Sequence, residues 1–237
     1  MIVSRVHPQP AESVDLDDAA SRARLLDWYS PDSSQWLRLN LVSSANGSAA
    51  GPDGTSESLT SASDRRILGV IRELSAAVLV GAASVRTEGY QVPRRSRLAI
   101  LTSTGDLRGH RLDPDQAERV IVVCPAEAAD DARRAVPGAL ILVASASAGR
   151  IDPADALAVL RDAGCSSIVC EGGPTLAGAM LEAGLVDDVC LTTSPVLRDA
   201  SLPLLGAGPL SEHPLALRHV LVDDAGFVFT RWSTRAA

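Results

Sequence analysis

The sequence predicts an α/β protein built on a mixed, mostly parallel central sheet flanked by helices. Three observations point there. Short continuous apolar runs recur along the chain, the mark of strands buried on both faces. Helical patterns alternate with those runs, as parallel pairing requires. The chain then closes on two strand-like runs around a turn, which adds an antiparallel hairpin.

The elements follow in order. Residues 1–34 are polar, are punctuated by Pro8, Pro10 and Pro31, and read as an N-terminal extension with one short helix over 17–29. Residues 36–43 (WLRLNLVS) alternate with period two and predict a strand. A Gly/Ser-rich loop occupies 44–58. In 63–74, Ile67, Leu68, Ile71 and Leu74 fall at helical spacing, with Ser61 or Ser63 available as the cap. Apolar runs at 76–80, 98–101, 120–124 and 140–143 predict buried strands, and 125–134 predicts a helix. Asp152-Pro153 places a capping carboxylate before a proline at the first helical position, so a helix runs to about Ala163 and stops at Gly164. A strand over 167–170, a helix over 174–183 ended by Gly184, and a strand over 189–193 come next. The terminal hairpin pairs 218–222 with 227–232. No repeat or low-complexity linker divides 35–237, which is expected to form one domain.

Composition narrows the function. The 237 residues are 46% hydrophobic and 22% charged, enough for a substantial core. No apolar run approaches the roughly 18 residues of a membrane span, and residues 1–10 lack the apolar stretch of a signal peptide. The expected location is the cytoplasm. A net charge of -7 and an aromatic content of 3% disfavour nucleic acid and anionic membranes as partners. All 22 basic residues are arginine. Schiff-base and P-loop lysine chemistry is therefore excluded, and phosphate recognition falls to arginine, hydroxyls or backbone N–H groups. Cys124, Cys165, Cys170 and Cys190 have no C-x-x-C spacing and read as buried thiols in a reducing compartment. His7, His110, His213 and His219 show no ligand spacing, so no metal is expected.

Five segments could carry chemistry. In Glu171-Gly172-Gly173-Pro174-Thr175-Leu176, a strand ends in a carboxylate, two glycines follow, and a helix opens. Glycines let backbone approach a phosphate without a Cβ in the way, and a helix start aims free N–H groups at the same place. Val80-Gly81-Ala82-Ala83-Ser84-Val85 repeats the strand–glycine–helix pattern, a second set of donors. Thr102-Ser103-Thr104 follows a strand with three hydroxyls, suited to a ribose or its 2′-phosphate, or else forming a solvated turn. Asn46-Gly47 after the first strand is first of all a turn signal. Arg86, Arg94, Arg95 and Arg97 concentrate positive charge in an acidic chain and fit phosphate esters, or form a solvated face.

Taken together, Ser44-Ala45-Asn46-Gly47, Val80-Gly81-Ala82-Ala83-Ser84, Leu101-Thr102-Ser103-Thr104, Glu171-Gly172-Gly173-Pro174-Thr175-Leu176, Gly184-Leu185-Val186-Asp187-Asp188 and Ser194-Pro195 resemble the pyrimidine reductases of riboflavin biosynthesis over about residues 36–233. The resemblance implies a dihydrofolate-reductase-like fold for 35–237, NADPH as hydride donor, a homodimer, and reduction of a phosphoribosylamino-pyrimidine to its ribitylamino product. It implies cofactor contacts from Gly81, Ala82, Ser84, Val85, Thr102, Ser103, Thr104 and the run Glu171, Gly172, Gly173, Pro174, Thr175 and Leu176. Substrate contacts are expected from Asn46, Arg86, Arg94, Arg95 and Glu171, with Glu171 and Asn46 as the catalytic pair. The zinc motif of the associated deaminase half is absent from this sequence, so that preceding step is not expected here. Two departures stand out. The family's aspartate in S-x-D-G is Asn46, which cannot donate and recover a proton as a carboxyl does, and the threonine of V-G-x-x-T is Ser84. A non-catalytic nucleotide-binding paralogue and a dihydrofolate or pterin reductase are the alternative readings.

Overall fold

The computed structural model describes residues 1–199 and 202–235. Its elements run β1 (Ile2–His7), β2 (Glu12–Asp15), α1 (Ala19–Tyr29), β3 (Trp36–Ser44), α2 (Ala62–Glu73), β4 (Ala77–Gly81), α3 (Ala82–Glu88), β5 (Arg97–Leu101), β6 (Val120–Cys124), α4 (Ala129–Ala135), β7 (Leu140–Val143), β8 (Ala146–Ser147), β9 (Arg150–Ile151), α5 (Pro153–Asp162), β10 (Ser167–Gly172), α6 (Pro174–Glu182), β11 (Asp188–Ser194), β12 (Ala216–Asp223) and β13 (Val228–Ser233).

Eleven strands form one sheet in the order β2-β1-β12-β13-β11-β3-β10-β4-β5-β6-β7. Pairing is parallel from β11 through β7 and antiparallel from β2 to β11. This is the mixed, mostly parallel sheet that the sequence predicts. Period-two alternation sorts the strand side chains into two cores. In β4, Val78 and Val80 face one core with Ile67, Val70 and Ile71 of α2. Ala77 and Leu79 face the other, with Leu157 and Leu160 of α5 and Ala177 and Met180 of α6. The helices therefore cover both faces, as parallel strands demand.

Capping sets the helix starts. Asp18 accepts from Ala20 N at α1, Ser61 from Asp64 N at α2, and Asp152 from Ala154 N and Asp155 N at α5. The predicted helix at 125–134 opens as a 3₁₀ turn, Ala126–Ala128, before α4.

The N-terminal stretch carries more than the single expected helix. β1 pairs with β12, Val3 opposite Asp223, and β2 pairs with β1. Pro8 and Pro10 sit in the turn between the two strands, where a missing N–H costs nothing. The small β8–β9 hairpin and the 3₁₀ turn Pro114–Arg119 are further elements that periodicity over so few residues does not reveal.

Beneath α1 lies a buried charge cluster. Asp188 Oδ2 accepts from Arg38 Nη2 and from Arg231 Nη2, both at 2.8 Å. Arg231 Nη1 also donates to Trp28 O and Ser30 O at the end of α1, where backbone carbonyls lack helical partners. His219 packs edge-on against Tyr29 at 4.7 Å. Burial, reinforced by the charges of Arg231 and Arg38, pushes its imidazole down to about 3. The four cysteines are all free and buried. Among the described residues no helix is long and apolar enough to cross a membrane.

Candidate active site

The carboxyl ends of the parallel strands lie along one rim of the sheet. Gly81 at the end of β4 is level with Leu101 in β5, and Gly172 at the end of β10 with Val80 in β4. Open α/β sheets bind ligands at this rim. The three expected turns, 81–85, 102–104 and 171–176, are thus brought side by side.

Two of them touch. Gly172 has φ +93°, a left-handed conformation that favours glycine. It joins Gly173 through a cis peptide. A Cβ on Gly173 would lie 3.0 Å from Ser84 Oγ, and a Cβ on Gly81 would lie 3.7 Å from Gly173 N. The glycines therefore leave backbone exposed where the β4 and β10 turns converge. No side chain caps the start of α6, while Leu176 N and Ala177 N both bond Gly173 O. Those two N–H groups are thus satisfied within the helix, and what the converging turns leave uncovered is the backbone of Gly81 and Gly173, a glycine cradle.

The third turn uses much of its own polarity. Thr102 Oγ1 accepts from Gly105 N at 3.1 Å and Thr104 Oγ1 from Asp106 N at 3.3 Å. Both hydroxyls brace the turn, which leaves Ser103 as the least committed of the three.

Glu171 is fixed from two directions. Arg72 Nε donates to Oε1 at 2.7 Å and Nη2 to Oε2 at 2.6 Å, and the Tyr90 hydroxyl donates to Oε2 at 2.9 Å. Only 5% of the Glu171 side chain is exposed. Burial opposes the charge of Arg72, yet the Glu171 carboxylate prevails and raises its pKa above the ordinary guanidinium value. Burial, with the Glu171 charge behind it, likewise raises Tyr90 well above an ordinary phenol, so Tyr90 stays a donor. Neither Arg72 nor Tyr90 was singled out from the sequence. Arg72 is one arginine among 22 on an amphipathic helix, and the one available signal was Tyr90 as one of two tyrosines, directly after Gly89.

Beside the cradle a cavity of ≈ 90 Å³ is lined by Leu41, Asp64, Glu88, Tyr90, Glu171 and Gly173 among others. Three carboxylates line it and, among the described residues, no arginine does; of the three, Arg72 reaches only Glu171, from the other side. Asp64 is the most enclosed of the unpaired acids, 6% exposed, and its Oδ1 accepts the Thr192 hydroxyl at 2.7 Å.

The remaining expected residues do not gather here. Asn46 is exposed and clamps two loops: Oδ1 accepts from Ser44 Oγ at 2.8 Å and Arg198 N at 3.0 Å, and Nδ2 donates to Arg198 O at 2.6 Å. It is not among the residues lining the cavity with Glu171. The arginine run disperses as well. Arg86 donates to Asp106 O at 2.6 Å. Arg97 opens β5, at the opposite end of that strand from the rim. Arg94 and Arg95 line a separate cleft of ≈ 860 Å³ between α1, α2 and residues 93–96, where Arg95 pairs with Glu73 at 2.5 Å. Arg72 connects the two spaces, lining that cleft while holding Glu171 at the edge of the smaller one. Neighbours in sequence separate because α3 and β5 run in different directions from the rim.

A mixed sheet with converging glycine turns and an acidic cavity at its carboxyl rim defines an α/β protein with a candidate ligand site at that rim. The chain matches the model of the RibD C-terminal domain over residues 35–229. It is 30% identical over 178 residues to the riboflavin biosynthesis protein RibD of Escherichia coli, covering 68% of this chain and 48% of that protein. Among solved structures it is similar to a pyrimidine reductase-like protein from Corynebacterium diphtheriae, with a TM-score of 0.76, 22% identity, and coverage of 91% of this chain and 99% of that one. It is also similar to a diaminohydroxyphosphoribosylaminopyrimidine deaminase/5-amino-6-(5-phosphoribosylamino)uracil reductase from Thermotoga maritima, with a TM-score of 0.69, 22% identity, and coverage of 84% and 56%. The chain belongs to the RibD C-terminal domain family. It spans about half the length of the curated relatives it matches.

Proposed function

We propose that this protein is an NADPH-dependent reductase of a phosphoribosylamino-pyrimidine in riboflavin biosynthesis, working as a cytoplasmic homodimer. The observation that carries the reading is the convergence of Gly81, Ser84 and Gly173 beside a cavity edged by Glu171. Backbone freed of Cβ atoms suits a pyrophosphate. Gly81, Ala82, Ser84 and Val85 would hold it with Gly172, Gly173, Pro174, Thr175 and Leu176, and Thr102, Ser103 and Thr104 would lie toward the adenosine ribose. A bound nicotinamide supplies hydride. Orientation and the proton fall to the protein. Glu171 enters as an aligned acceptor, because Arg72 and Tyr90 already direct three hydrogen bonds at its oxygens. It binds sugar hydroxyls in this reading. The buried free cysteines and the membership in a riboflavin-biosynthesis family support a reducing, cytoplasmic setting.

The test is NADPH oxidation measured side by side with 5-amino-6-(5-phosphoribosylamino)uracil and with dihydrofolate. Turnover of the first alone is the expected result, and turnover of dihydrofolate alone overturns it. One observation favours a second reading, a nucleotide-binding paralogue without turnover: Asn46 stands where the family has an aspartate, and its amide is spent on Arg198. NADPH binding with no oxidation on either substrate would establish that alternative.

A further inference from the structure

Reduction of an open-chain imine forms a C–H bond at C1′ and an N–H bond at nitrogen, and consumes the C=N π pair. Giving up the hydride would oxidise a dihydronicotinamide donor. The proton has to be supplied by solvent or by a group in the cleft, and a group held there delivers it with fixed geometry. Asn46 cannot supply it, and Glu171 is an acceptor three times over.

We propose that Asp64 is the proton donor of this site, a role that rests on the reductase reading above. Asp64 is the third residue of α2, where a carboxylate usually turns back to cap the helix and profits from its dipole. Asp64 does not. Ser61 alone caps through its hydroxyl, and the Asp64 side chain points inward to Thr192 on β11. One oxygen is thereby fixed, and no described protein group bonds the other. Asp64 lines the cavity that Glu171, Tyr90 and Gly173 also line.

The surroundings shift Asp64 toward its protonated form. Burial raises the Asp64 pKa; the Thr192 hydroxyl and Arg65 oppose the shift, and the charges of Glu171 on β10 and Asp223 on β12 support it. Arg65 is itself paired with Glu57 and largely exposed, which weakens its opposition. An acid with its pKa raised toward the working pH is suited to give up a proton at each turnover and regain it from water. In the balanced step the Asp64 proton goes to the imine nitrogen, Asp64 is left as carboxylate, and solvent reprotonates it.

The test compares wild type with Asp64→Asn and Asp64→Glu. Wild-type kcat is expected to hold at low pH and fall as pH rises through the Asp64 pKa. Asp64→Asn should lower kcat by roughly 10²-fold or more, abolish that fall, and leave NADPH affinity unchanged; Asp64→Glu should restore part of the rate. A second readout needs no turnover. In the ligand-free protein, the infrared difference between wild type and Asp64→Asn should contain a protonated-carboxyl band that vanishes as pH is raised. An Asp64→Asn enzyme that keeps the wild-type rate and pH profile, or a missing carboxyl band at mildly acidic pH, overturns the assignment to Asp64. Wild-type protein that turns over neither pyrimidine nor dihydrofolate overturns the reductase reading itself, and the donor role with it.

Discussion

Arg72 and Glu171 meet as fork and carboxylate, Nε to Oε1 at 2.7 Å and Nη2 to Oε2 at 2.6 Å, across the wall between the two clefts. The pair locks a helix-borne cation to the last acidic residue of a central strand. The aim of the Glu171 side chain is therefore set before any ligand arrives.

Glu171→Gln should keep the shape and lose the charge that holds Arg72. The expected loss is about 10- to 100-fold in kcat/KM, the kinetic equivalent of one charged hydrogen bond of about 1.5–3 kcal/mol. Arg72→Lys should fall in the same direction, since an ammonium cannot reproduce the bidentate fork. Steady-state kinetics on both variants checks this; a silent Glu171→Gln removes Glu171 from the site.

Gly173→Val places a branched side chain where Ser84 Oγ already lies 3.0 Å from the nearest possible Cβ. NADPH affinity should drop at least tenfold, about 1.4 kcal/mol. Titration of nucleotide fluorescence measures it, and unchanged affinity would remove the cofactor from this loop.

NADPH should be preferred to NADH. Ser103 is the uncommitted hydroxyl of its turn, and no acidic residue follows β5 within 102–104 to hold a free 2′-hydroxyl. Equal kcat/KM for the two cofactors contradicts this, and Ser103→Ala should narrow the preference.

Asn46→Asp restores the family residue but opposes a carboxylate to Arg198 O, which now accepts from Nδ2 at 2.6 Å. The variant should lose about 0.5–1.5 kcal/mol of stability and gain no activity. Denaturant unfolding beside a turnover assay decides it; a more active variant would place the lost acid at position 46.

His219 supplies a pH signature for the fold. Its folded pKa of about 3 lies below the ordinary imidazole value, so the unfolded chain binds a proton that the native one excludes. Stability should fall as pH drops from about 6.5 toward 3, at about 1.4 kcal/mol per pH unit for this group. His219→Phe keeps the contact with Tyr29 and should flatten that slope in pH-dependent unfolding. An unchanged slope assigns the acid sensitivity elsewhere.

Much of the rim was legible in the sequence because glycine carries local information. Gly81, Gly172 and Gly173 mark backbone that must approach something closely, and a strand before and a helix after fix where that is. Asp64, Arg72, Tyr90 and Thr192 left no such trace. They belong to α2, the segment after α3, and β11, and they meet only through tertiary packing. Spacing along a helix says which residues share a face, but not which face borders a cleft. The arginine run misled for the same reason: nearness in sequence across a helix end and a loop does not survive the change of direction. The N-terminal strands were hidden by prolines that lie in the turn between them.

The order β3-β10-β4 has a kinetic consequence. β10 enters between two strands made much earlier in the chain, with Ile168 beside both Leu37 and Ala77. Until it inserts, β3 and β4 are separated by an open seam, and neither Glu171 nor the glycine cradle is in place as a site. Such non-local pairing closes large loops and is slow to form. During synthesis the nascent chain must carry unpaired hydrophobic edges until β10 emerges, so this interval is when aggregation competes with folding.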